Sequence, residues 1–203
     1  MILEYPLTLS LEKTPFATQI RVTNVSGTPV FYVKQRSLSC IDEIIVYADY
    51  MPSQELYKIS LEHGDTRPRQ FQITDRRGIA LASFKPEGRR KLWNPRRWIC
   101  AGHEAIMVIS ESSPLLHLMD TIWDLIPIVS FFHGGIFRPT YHVTKSHDST
   151  SVVMKIGKKP SFRERRFVID KVVEIGHEEQ IVVILGLIMI LLLNQPHWSI
   201  VPS

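Results

Sequence analysis

From Ile181 to Leu193 the chain runs IVVILGLIMILLL, thirteen residues without one polar side chain. As a helix this segment is about 20 Å long at 1.5 Å per residue. A bilayer core is about 30 Å thick and needs about 20 residues, and apolar runs of about 10–14 are more often buried core helices. A helix that is apolar all round must be enclosed on every side. Its ends are marked by Glu178-Glu179-Gln180, which puts negative charge where the helix dipole favours it, and by Asn194-Gln195-Pro196, which stops it. Burying about twelve large aliphatic side chains contributes roughly 20–30 kcal/mol before entropy is counted. The chain therefore has to supply a wall around residues 178–194.

The preceding sequence has the period of such a wall. Tyr5–Leu11, Gln19–Asn24, Val30–Gln35, Glu43–Ala48, Glu55–Leu61, Gln70–Thr74, Ala80–Lys85 and Ala105–Glu111 carry β-branched or aromatic residues in rough alternation. Thr140–Lys145, Ser151–Ile156 and Arg166–Ile169 resume the pattern, and Ser26-Gly27, His63-Gly64-Asp65, Arg76-Arg77-Gly78 and Glu87-Gly88 punctuate it. Roughly a dozen short strands point to a sandwich or closed barrel, and the absence of βαβ alternation disfavours a parallel sheet. A mainly β barrel wrapped around the C-terminal helix is the economical solution. At 203 residues the chain suits one domain spanning 1–203.

One insertion, 115–135, interrupts the strands. Leu115, Leu118, Met119, Ile122, Leu125 and Ile126 share a helical face, and His117, Asp120, Thr121 and Asp124 take the other. Ser113 and Pro114 can start this amphipathic helix, and Pro127 stops it. Its polar face is acidic, unlike interfacial helices that offer Lys or Arg to anionic lipid, so it is expected to pack on the sheet as a lid. Leu115–Phe132 is also the candidate docking patch for a protein partner.

The start of the sequence, MILEYP, lacks a basic region and an apolar stretch, so no secretory signal is expected. Cys40 and Cys100 then read as reduced thiols of a cytoplasmic protein, and the Asn24-Val25-Ser26 sequon as coincidence.

Net charge is +4, but it is unevenly placed. Residues 67–97 carry ten Lys or Arg against Asp75 and Glu87, and residues 155–171 carry seven against Glu164 and Asp170, leaving the remainder net acidic. Two clusters of this kind can attract an anionic surface where a uniform charge would not. The candidate binding residues are Arg89, Arg90, Lys91, Arg96 and Arg97 in the first, with Trp93 and Trp98 as interfacial aromatics, and Lys158, Lys159, Arg163, Arg165 and Arg166 in the second. Cations interleaved with indoles suit lipid headgroups or stacked bases. They equally suit a hairpin with its Trp residues in the core and its charges in water.

Catalytic signatures are lacking. No G-x-S-x-G, Walker loop, G-x-G-x-x-G or H-E-x-x-H is present, so no catalytic residue, metal or cofactor is assigned. His103, His117, His142 and His147 are scattered, and Asp120 with Asp124 reads as a solvated helix face.

Short strands ending in one apolar helix resemble the Tubby C-terminal-like group, which includes phospholipid scramblases and LURP-one-related proteins. The stretch TPVFYVKQ from Thr28 to Gln35 is similar to that group's early G-x-x-V-x-Y-V-x-Q strand. Gln70–Asp75 with Gly78 and Ala82–Lys85 resembles its F-x-I-x-D-x-x-G hairpin, and Val152–Gly157 leading to Arg166–Asp170 resembles its closing section. The resemblance implies a twelve-stranded closed barrel around the helix, and a basic surface that binds anionic phospholipid. It favours lipid over nucleic acid, because Tubby-like domains bind phosphoinositides through basic surface residues. Scramblases carry an acidic calcium-associated stretch before the final helix. Here Ser161–Asp170 is basic, and Glu164 with Asp170 makes a poor calcium set. The expected function is a non-enzymatic, cytoplasmic protein placed peripherally on membranes. A scramblase-like membrane protein with Ile181–Leu193 inserted, and a pure protein-interaction module, are the alternatives.

Overall fold

Leu7, Leu9 and Leu11 are buried while the residues between them are not, and this two-residue rhythm repeats around the molecule. The computed structural model describes residues 3–14, 17–36, 43–50, 54–62, 70–86, 96–101, 104–111, 138–148, 150–161 and 164–193. They form twelve strands: β1 (Leu7–Lys13), β2 (Ala17–Thr23), β3 (Pro29–Arg36), β4 (Glu43–Tyr47), β5 (Glu55–Leu61), β6 (Phe71–Asp75), β7 (Ala80–Pro86), β8 (Arg96–Ala101), β9 (Glu104–Glu111), β10 (Arg138–Lys145), β11 (Val152–Lys159) and β12 (Arg165–Lys171). The helix α1 (His177–Leu193) follows.

Each strand pairs antiparallel with its neighbour in sequence, and β12 returns to β1 through Leu7↔Ile169, Leu9↔Phe167 and Leu11↔Arg165, closing the barrel. The expected architecture is thus present. One strand, β8, falls where no separate strand was drawn from the sequence. Closure leaves no unpaired strand edge.

The inner face is apolar and the outer face is charged. Ile20, Phe31, Ile44, Ile59, Ile73, Phe84, Ile99, Ile109 and Ile169 are fully buried, while Lys34, Lys58, Gln72 and Lys155 are exposed. This is the reverse of a lipid-embedded barrel, whose outer band is apolar and whose lumen is polar. Inside runs α1, with Gln180 through Leu192 all buried. At Gly186 an added Cβ would meet Ile109 Cδ1 at 3.3 Å, Ile99 Cδ1 at 3.4 Å and Phe84 Cδ2 at 3.6 Å. Glycine lets the helix backbone lie directly against β7–β9.

The helix start is capped from both directions. Glu179 Oε2 accepts the Gly176 N–H at 2.8 Å, and the Gly176 carbonyl accepts the Gln180 N–H at 3.0 Å. Buried Gln180 donates its Nε2 to the Ile175 carbonyl at 2.8 Å. At the β6–β7 turn, Asp75 Oδ1 accepts the N–H groups of Arg77 and Ile79, each at 2.8 Å, and Gly78 takes φ +79°. A side chain there would be strained, which is why this hairpin needs glycine.

Candidate functional site

Because α1 fills the interior, a site accessible to a ligand has to lie on the outer wall or at an end. Strict up-and-down order makes the two ends chemically different. Odd-numbered strands all run the same way, so one end gathers the β2–β3, β4–β5, β6–β7, β8–β9 and β10–β11 connections together with the entry of α1. The other gathers the β1–β2, β3–β4, β5–β6, β7–β8, β9–β10 and β11–β12 connections and the exit of α1.

The entry end is acidic. Glu4, Asp49, Glu55, Asp75, Glu104, Asp148, Asp170, Glu174, Glu178 and Glu179 lie there, against Arg76, Arg77, Lys145 and Lys171. At the exit end, the arc from β7 to β12 carries Lys85, Arg96, Arg97, Arg138, Lys158, Lys159, Arg165 and Arg166, against Glu111 and Glu164 among the described residues. The two basic clusters, some seventy residues apart in sequence, therefore reach the same rim. Strand spacing of about 4.8 Å puts β8 and β12 about 19 Å apart along it.

Cross-strand register tightens the second cluster. Lys159 lies opposite Arg166 on β11/β12, Arg138 opposite Lys158 on β10/β11, and Arg165 opposite Leu11 of β1. Like charges directly opposite one another are destabilising in a sheet. Glu164 relieves part of this strain: its Oε1 accepts Arg166 Nε at 2.6 Å. Lys159 and Arg165 are exposed and form no ion pair among the described residues, and Lys158 is half-buried.

Helix α1 explains some of the charge. Its last turn holds no basic residue, and its C-terminal end presents a partial charge of about −0.5 to this rim. That is a small fraction of the cationic charge on the arc, where Lys159, Arg165 and Arg166 are exposed. Next to the cluster, half-buried His142 lies opposite Lys155 and Ser110. Burial pushes its pKa below the ordinary 6.5, and the Lys155 ammonium adds to the shift, so the ring is neutral at pH 7.

Of the candidate residues, Lys158, Lys159, Arg165 and Arg166 are brought together as described. Arg96 and Arg97 start β8 on the same rim, where Arg97 pairs with Pro86 and Ile109. Trp98 is half-buried, opposite Lys85 and Val108, and Ile99 rather than Trp98 enters the core cluster. Arg89, Arg90, Lys91, Trp93 and Arg163 lie outside the described residues, as does the amphipathic insertion with its docking patch Leu115–Phe132. Sequence reasoning missed Lys85 and Arg138. Lys85 is one of the ten cations of residues 67–97 but was not singled out among them, and only strand order carries Arg138 to the arc.

No family model and no curated protein matches the chain. Among the described residues, no helix is long and apolar enough to cross a membrane.

Proposed function

We propose that this chain is a non-enzymatic barrel that docks end-on to an anionic membrane surface through the β7–β12 arc of its exit end. The observation that carries the reading is the separation of charge along the barrel axis, with like-charged residues set opposite one another at the basic end. A fold that needed these residues only for solubility would gain by alternating their signs. A polyanionic surface relieves the repulsion instead. Each cation held near an anionic leaflet contributes about 1 kcal/mol, so Lys85, Lys158, Lys159, Arg165 and Arg166 together supply about 5 kcal/mol. That corresponds to a Kd on the order of 0.1 mM, weak and reversible. The acidic entry end is repelled by the same leaflet, which makes the docking directional.

The resemblance to Tubby-like domains supports lipid over nucleic acid as the anion. Enclosure of α1 supports surface docking over insertion, because withdrawing the helix would expose the whole inner face to water. The test is sedimentation with phosphatidylserine-containing liposomes at low and high salt. Wild type is expected to sediment at low salt and to be released as salt rises, since exposed charges are screened within about 10 Å at 0.1 M. Combined Lys159→Glu, Arg165→Glu and Arg166→Glu, or reversal of Arg89, Arg90, Arg96 and Arg97, is expected to abolish it. Binding that survives both reversals, or that ignores salt, refutes the proposal.

A further inference from the structure

Ser161 lies in the five-residue connection between Lys159 and Arg165, on the basic rim. It is exposed, and its hydroxyl makes no hydrogen bond among the described residues. Two lysines stand two and three positions before it, and Arg165 and Arg166 follow it. Ser26, the other exposed serine described, differs on the remaining counts. It sits at the acidic end, and its hydroxyl donates to Asn24 Oδ1 at 2.7 Å.

We propose that Ser161 is a phosphorylation site for an ATP-dependent kinase that reads basic residues ahead of its acceptor, and that its modification releases the barrel's basic end from anionic membranes. The switch rests on the docking reading above; the acceptor assignment does not. In the transfer, Ser161 Oγ bonds to the γ-phosphorus of ATP as the bond to the β–γ bridging oxygen breaks. The hydroxyl proton passes to the kinase's catalytic base, and ADP leaves. Phosphoserine carries about −1.5 to −2 charge at pH 7 and three strong acceptor oxygens. Placed beside Lys159, Arg165 and Arg166, it engages the cations that the leaflet needs and repels the leaflet itself. Pro160 and Ser161 are both exposed, which lets the acceptor enter a kinase cleft without opening the barrel.

The experiment treats the full chain with ATP and the purified catalytic domain of a basic-residue-directed serine kinase, followed by phosphate mapping and liposome sedimentation. One phosphate at Ser161 is expected on wild type and none at that position on Ser161→Ala. Removing about two charges, each worth about 1 kcal/mol at the leaflet, should weaken liposome partitioning on the order of 30-fold, and Ser161→Glu about fivefold. Ser26→Glu changes net charge equally at the opposite end and should partition as wild type does, as should unmodified Ser161→Ala. Phosphate mapped elsewhere, or not incorporated, overturns the assignment. Phosphorylated protein that partitions like the unmodified form, or Ser26→Glu weakening it as much as Ser161→Glu, overturns the switch. If unmodified wild type never partitions, the docking reading and the switch fall together, and the phosphate map alone decides the acceptor.

Discussion

Gly186 offers a sharp test of the enclosed helix. An alanine Cβ there would sit 3.3 Å from Ile109 Cδ1 and 3.4 Å from Ile99 Cδ1, tight contacts with side-chain termini that can shift slightly. Removing glycine from a helix interior recovers about 1 kcal/mol of propensity. Gly186→Ala should therefore stay within about 1 kcal/mol of wild type, the gain offsetting the crowding. Leucine is different. Its further carbons enter space held by Phe84, Ile99 and Ile109, all fully buried. Overpacking of this kind costs about 1–3 kcal/mol. The cost should reach the upper end here, because a closed barrel cannot spread without stretching ladder hydrogen bonds. With a urea m-value of about 3 kcal/mol/M for a chain of this size, a loss of about 3 kcal/mol moves the midpoint down about 1 M. Equilibrium urea unfolding followed by tryptophan fluorescence measures it. A Gly186→Leu midpoint equal to or above that of Gly186→Ala would show that the helix does not lie against β7–β9.

Deleting residues 177–203 should leave no folded barrel, since it removes roughly 20–30 kcal/mol of gross apolar burial; loss of near-UV circular dichroism with rapid proteolysis is the expected result, and a soluble, protease-resistant remnant is the contrary one. His142 should make stability fall with acid. Its folded pKa is depressed, so the unfolded chain binds more protons from about pH 6.5 down through the folded pKa, and stability present above that window is lost within it. Urea midpoints at about pH 7.5 and about pH 5.5 should therefore converge in His142→Gln, and a slope unchanged by the substitution would exclude this histidine as a source.

The helix was legible because thirteen consecutive apolar residues must leave water and are short of the about 20 that a bilayer core needs, which favours enclosure. Most strands were legible for a related reason: Leu7, Leu9 and Leu11 alternate with Thr8, Ser10 and Glu12, and only a half-buried strand uses that period. Strand β8 was not, since Arg96-Arg97-Trp98 precedes Ile99 and its cations dominate any reading of hydrophobic period. The site was legible as charge and illegible as a place. Lys158 and Arg138 are twenty positions apart yet directly opposite, a relation set by the β10–β11 register and by nothing local. The acidic end is more hidden still, because its carboxylates arrive a few at a time, such as Asp49, Asp75, Glu104 and Asp148, in or beside separate turns.

The pairing of β1 with β12 has a consequence for how the molecule comes into being. Synthesis delivers all twelve strands before the helix that fills them, and Leu7 has no partner until Ile169 has been made. The nascent wall thus carries a ring of apolar residues facing an empty centre, with β1 an unpaired edge until β12 is made and the centre unfilled until α1 appears. Such intermediates are sticky and slow to resolve, because distant contacts form only after long stretches of chain are ordered. The barrel's weakest moment therefore falls between the synthesis of β12 and that of α1, where a holding chaperone would be of greatest use.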